Sequence, residues 1–201
     1  LSFEPGSRLE IIGECAFESS RIESLTLPQG VIAIRDRAFH EAEIGTLSFE
    51  PGSRLKTIWY YAFKSSRIGG SLTIPRGVWA IMKGTFQGAT IETLSFEPGS
   101  RLGIIGECAF KSSRIGGSLI LPPGVTDIRS GAFQGAEIGT LSFEPDSQLA
   151  GIWGDAFNKK SHIGSLILHQ KDARLKEMIV QRCKAEIEKV QILPDSEATP
   201  E

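Results

Sequence analysis

LSFEPGSRL stands at residues 1–9 and returns unchanged at 47–55 and 94–102, and LSFEPDSQL follows at 141–149. A string that recurs every 46 or 47 residues marks an array of stacked supersecondary units, so the repeat is read before any helix or strand. Each long period holds two units. Aligned on the first leucine, the units begin at Leu1, Leu25, Leu47, Leu72, Leu94, Leu119, Leu141 and Leu166, alternating between 24 or 25 residues and 22. This gives seven full repeats and part of an eighth.

Apolar residues fall into fixed columns within the units. Two residues after the first leucine stand Phe3, Leu27, Phe49, Ile74, Phe96, Leu121, Phe143 and Leu168, and a period of two predicts a strand. A second column, Leu9, Val31, Leu55, Val78, Leu102, Val125 and Leu149, is followed three residues on by Ile12, Ile34, Ile58, Ile81, Ile105, Ile128 and Ile152. Five residues further comes an aromatic column: Phe17, Phe39, Phe63, Phe86, Phe110, Phe133 and Phe157. Alanine precedes it everywhere except at Thr85, and Ile22, Ile44, Ile68, Ile91, Ile115, Ile138 and Ile163 follow it. All eleven phenylalanines occupy one of two columns. A unit this short cannot close a core alone, whereas stacked copies bury each column against the next. At roughly 4.8 Å per strand, eight starts predict a rod or arc about 34 Å long with a phenylalanine spine.

Turn residues agree with the columns. Pro5, Pro51, Pro98 and Pro145 follow the strand in long units, and Pro28, Pro75 and Pro122 in short ones, where a missing N–H ends pairing. Gly6, Gly30, Gly52, Gly77, Gly99 and Gly124 then supply a permissive corner, with Asp146 in place of glycine in the last long unit. The Gly-Gly pairs at 69–70 and 116–117 are read as corners too.

Composition narrows the function classes. Lys plus Arg number 22 against 24 Asp plus Glu, a formal charge of -2, which lacks the footprint of a nucleic-acid or anionic-membrane binder. Apolar runs are too short to span a bilayer. Three cysteines, Cys15, Cys108 and Cys183, cannot all pair within the chain. Cys15 and Cys108 share one frame position four repeats apart, about 19 Å by strand spacing, so they are expected as free thiols. Residue 1 is Leu and no basic-then-apolar leader precedes the first unit, so any targeting segment is expected outside this chain.

The pattern L-x-[FIL]…[LV]-x-x-I-x-x-x-A-F-x-x-x-x-I, with copies such as IPRGVWAIMKGTF and LPPGVTDIRSGAF, resembles the BspA-like leucine-rich repeat family over about residues 1–168. The resemblance implies a curved leucine-rich repeat solenoid with a parallel β-sheet on its concave face and short strands, turns or helical turns on the other. It further implies surface-exposed proteins that bind host or matrix proteins. The chain departs from that family in placing Ser or Ala, at Ser19, Ser20, Ala42, Ser65 and Ser66, where cysteine often follows the Ala-Phe pair.

Three segments follow: the solenoid over 1–168, a C-terminal amphipathic capping helix and end segment over 169–193, and a disordered tail over 194–201. In the second, Leu175, Met178, Ile179, Cys183, Ile187 and Val190 fall on one helical stripe and Asp172 is placed to cap it, as an array needs at its last rung. Leu1 is already in frame, so the first rung is expected to be open, as in a fragment of a longer array or a surface for self-association.

Catalytic groups do not converge. His40, His162 and His169 lie in different repeats or after them, and H-E-x-x-H, C-x-x-C, G-x-S-x-G and phosphate-loop motifs are absent, so neither enzyme activity, cofactor nor metal is expected. Outward strand positions carry hydroxyls: Ser24, Thr26, Thr46, Ser48, Ser71, Thr73, Thr93, Ser95, Thr140 and Ser142, with Ser118/Ile120 and Ser165/Ile167 completing the rows. Three readings stand. The rows are strand-compatible residues copied by duplication, a recognition face of the solenoid, or, remotely, an ice-binding lattice that the two isoleucines interrupt. Glu4, Glu50, Glu97, Glu144, Arg8, Arg54 and Arg101 form charged rows that serve solubility and register. Trp59, Tyr60, Tyr61 and Trp79 lie outside the core columns, as interface anchors or as packing over a neighbouring rung, and Trp153 shares the frame position of Trp59. The expectation is a non-catalytic protein-binding module, a surface adhesin or antigen that uses the sheet face and the nearby aromatics. An intracellular repeat scaffold is the alternative.

Overall fold

The computed structural model describes residues 3–4, 6–158, 160–169, 177, 179 and 186–194. In chain order the strands are β1 (Ile11–Ile12), β2 (Arg21–Leu27), β3 (Ala33–Ile34), β4 (Glu43–Phe49), β5 (Thr57–Ile58), β6 (Arg67–Ile74), β7 (Ala80–Ile81), β8 (Thr90–Phe96), β9 (Ile104–Ile105), β10 (Arg114–Leu121), β11 (Asp127–Ile128), β12 (Glu137–Phe143), β13 (Gly151–Ile152), β14 (His162–His169) and β15 (Glu186–Leu193). The odd strands β1 to β13 make a seven-stranded sheet in sequence order, and the even strands with β15 make an eight-stranded one. All pairings are parallel, for example Leu25 with Leu47 and Ile12 with Ile34. The expected solenoid is thus present: each coil adds one short and one long strand.

The columns assemble as the repeat requires. Phe39, Phe86, Phe110 and Phe133 are fully buried, and the aromatic column stacks ring on ring with centroids 4.8–5.3 Å apart from Phe17 to Phe157. Backbone follows side chain. The N–H of Phe17 donates to the carbonyl of Ala38, that of Phe39 to Ala62 and that of Phe63 to Thr85, at 2.7–2.8 Å. The turn carrying each phenylalanine therefore forms a third ladder along the rod, whose donors all point toward the next coil. That geometry places Cys15, Arg37, Tyr61 and Cys108 at φ of 53–58°, in the left-handed region, where the same frame position holds Gly84 and Gly131. Small residues three after the phenylalanine let the turn close. Ser66 and Ser113 are buried there and donate to the carbonyls of Phe63 and Phe110 at 2.8 Å.

Two expectations are corrected. The Gly-Gly pairs are not corners: they lie inside β6 and β10, where the pairing register shifts between Ile68 and Ser71 and between Ile115 and Ser118. One extra residue between two inward positions has to bulge, and glycine tolerates it. The second correction concerns the C-terminal end. The stripe placed Ile187 and Val190 on a helix, yet both lie in β15 and pair with Ile163 and Leu166 of β14. The segment Ile187-Glu-Lys-Val190-Gln-Ile192 repeats the strand spacing of Ile163-Gly-Ser-Leu166-Ile-Leu168, so its β-branched residues continue the ladder. Most of the rest of the expected helix, including Asp172, Leu175, Met178 and Cys183, lies outside the described residues, as does 195–201. Glu177 and Ile179 have helical backbone, and Ile179 is buried in the core. No helix among the described residues is long and apolar enough to cross a membrane.

Candidate binding surface

The outer face of the eight-stranded sheet is built from the residues that alternate with the buried leucines. Ser24, Thr26, Thr46, Ser48, Ser71 and Thr73 are exposed there, and Thr93, Ser95, Thr140 and Ser142 are half-buried. Register sets Thr26 opposite Ser48 and Thr73 opposite Ser95, and their hydroxyls hydrogen-bond across the rungs at 2.8 and 2.9 Å. Ile120, 44% exposed, breaks the row farther along.

Beside the hydroxyl rows runs a feature that the sequence reading left out. Four residues before each first leucine, or five where a glycine is inserted, the strands begin Arg21, Glu43, Arg67, Thr90, Arg114, Glu137 and His162. Arg21 pairs with Glu43 at 2.8 Å and Arg114 with Glu137 at 2.6 Å, at the same register positions of neighbouring strands. Between this charged row and the hydroxyls lies a line of glycines. A β-carbon on Gly69 would stand 2.7 Å from the carbonyl oxygen of Gly45, and one on Gly164 2.7 Å from that of Gly139, so backbone of one coil rests on the α-carbon of the next. Two grooves result. One, of about 410 Å³, is lined by Arg21, Ile22, Glu23, Glu43, Ile44, Gly45, Arg67 and Gly69. The other, of about 210 Å³, is lined by Arg114, Ile115, Gly116, Glu137, Ile138, Gly139, His162 and Gly164. They occupy equivalent frame positions four coils apart, about 19 Å along the stack. The signal for them, alternating Arg and Glu beside a Gly column, is present in the sequence.

The aromatic candidates flank the short strands: Trp59, Tyr60 and Tyr61 follow β5, Trp79 precedes β7 and Trp153 follows β13, whereas the hydroxyl rows lie on the long strands. Trp59 is half-buried, with Arg35 4.9 Å over its ring and Tyr60 edge-on at 5.9 Å. The Tyr61 ring lies over Gly84 of the next coil, where a β-carbon would collide with it. Trp153 repeats the Trp59 arrangement: Arg129 sits 5.7 Å over its ring and its indole N–H donates to Asp127 at 2.8 Å. That donation, with a second from the Thr126 hydroxyl, holds the Asp127 carboxyl below the usual carboxylate range. Tyr60, Trp79 and Trp153 are exposed, at 39%, 48% and 52%. Trp59 and Tyr61 lie against side chain or backbone of a neighbouring rung.

The glutamate row does more than solubilise. Glu50 accepts from the backbone N–H of Gln29 at 2.8 Å and Glu97 from that of Arg76 at 3.0 Å, so each ties the corner of the preceding coil. Cys15 and Cys108 carry free thiols. Among the described residues no three His, Cys, Asp or Glu side chains group so as to hold a metal ion.

A family model described as "BspA type Leucine rich repeat region" matches residues 2–113 and 80–198, in six copies. The chain belongs to this family. Among curated proteins none matches it. A BspA-type leucine-rich repeat array is a protein-interaction module, and the parallel coils described above are its solenoid.

Proposed function

We propose that the chain binds a protein ligand with the outer face of its eight-stranded sheet, as part of a surface or secreted adhesin or antigen directed at a host or matrix protein. The observation that carries this reading is the pair of grooves. They repeat a polar wall beside a glycine floor four coils apart, with His162 in the place that Arg67 holds, on the face that also bears the hydroxyl rows. Such a surface offers shape, hydrogen-bond partners and charge over an extended area, which suits a long protein contact better than a small molecule. The family supports the setting, since its members are typical of surface and secreted proteins.

The test is surface plasmon resonance against a panel of purified matrix proteins. Thr46 and Thr140 each follow a groove glycine, Gly45 and Gly139, and point outward. A Thr46→Lys/Thr140→Lys variant is expected to lose at least tenfold in affinity for the matrix protein that the wild type captures, while Trp79→Ala, just before the short strand β7, keeps it. The reverse pattern overturns the assignment of the face.

A further inference from the structure

The charged row changes character at its C-terminal end. Arg21, Glu43 and Arg67 alternate basic and acidic side chains, and so do Arg114 and Glu137, but the next place in register is His162, followed by Glu186 of β15. His162 Nδ1 faces Glu186 at 3.7 Å and its Nε2 faces Glu188 at 3.2 Å. Glu137 of β12 lies opposite it in register on the other side, itself held by Arg114 of β10. These are the charged groups that face His162 among the described residues. A neutral imidazole has a single N–H, so one of its nitrogens turns a lone pair toward a carboxylate. Imidazolium turns an N–H toward both, and its charge restores the alternation plus, minus, plus, minus along Arg114, Glu137, His162 and Glu186.

The strand that this histidine touches is weakly held. Among the described residues β15 pairs with β14 alone, and Val190 and Ile192, which continue the buried Leu166 and Leu168 columns, are 43% and 46% exposed. With little apolar burial, the strand depends on its backbone ladder and on the ion cluster at its start.

We propose that His162 is a pH-operated latch: its protonation clamps β15 onto the end of the solenoid, and its neutralisation loosens that strand. Imidazolium is drawn to the flanking carboxylates and neutral imidazole is not, so the clamp is tighter at the acid end.

Amide hydrogen exchange on the full chain tests it, read as protection of β15 amides relative to those of β8 in mid-solenoid, which also report that the fold is intact. Going from pH 7.5 to 5.5 should raise relative protection in the wild type about two- to fivefold, the scale of exposed ion pairs. His162→Gln should abolish the change. His162→Arg, which supplies the permanent cation found at Arg67, should keep β15 protected at both values. A wild type without the change overturns the latch. So does a His162→Gln variant that retains it, since the effect would then belong to His169, the other histidine of β14.

Discussion

Phe39 and Phe63 lie face to face, ring centroids 5.0 Å apart and planes within 2° of parallel. Each belongs to a different coil, so neither ring has a complete environment without the neighbouring repeat. Phe86 has such a neighbour on both sides, Phe63 and Phe110 at 5.3 Å each, and is fully buried, whereas Phe17 has one and is half-buried. Phe86→Ala is therefore expected to cost about 3–5 kcal/mol and Phe17→Ala about half that, because the end coil can relax. Urea denaturation followed by circular dichroism measures both. Equal costs would remove the nearest-neighbour explanation.

Cys15 and Cys108 share a frame position and a left-handed φ, 54° and 53°, but Glu18 stands three residues after Cys15 where Lys111 follows Cys108. A hydrogen bond to the Glu18 carboxylate pushes the Cys15 thiol above the ordinary thiol value, which lowers its thiolate fraction. Iodoacetamide at pH 8 should modify Cys108 several-fold faster than Cys15, as read by peptide mass spectrometry, and Glu18→Gln should narrow the gap. A gap unmoved by that substitution contradicts the role given to Glu18.

Asp127 is held low by the Trp153 indole first and by the Thr126 hydroxyl second. Since its folded value is depressed, the contribution to stability is present above the ordinary aspartate range of about 3.9 and is lost as pH falls through the lower folded value. Trp153→Phe should move the Asp127 titration, followed by carboxyl-carbon NMR, upward. The Tm difference between the two proteins should shrink between about pH 5 and pH 2. A titration unchanged by the substitution would show that the indole is not the cause.

The parts legible in the sequence were those fixed by burial. Phe39, Ile58 and Leu72 could be assigned inward positions because a stacked column repeats the same side chain in every coil, and the structure buries all three. Chain geometry was harder to read. Gly69-Gly70 looks like a corner by composition, and only the register between Ile68 and Ser71 reveals a bulge inside a strand. Ile187 and Val190 fit a helical stripe and a strand frame equally well, and the free edge of β14 decides between them. For the binding surface, the hydroxyl rows at Thr46 and Ser71 could be read off, because their side follows from the parity of Leu47 and Leu72. Arg21, Glu43 and Arg67 beside a glycine column signal the grooves, but their shape depends on how closely Gly139 and Gly164 approach, and the placing of Trp59 and Trp79 depends on the short strands that they flank.

Deleting residues 47–93 tests the account most directly. The cut joins Thr46 to Leu94 and regenerates EIGTLSF, the sequence already found at 43–49 and 137–143, so two whole coils leave without breaking any column. The shortened chain is expected to fold with its β-sheet signal intact, and small-angle scattering should show a long axis reduced by about 10 Å. Loss of the sheet signal, or an unchanged long axis, would contradict a molecule held together coil by coil.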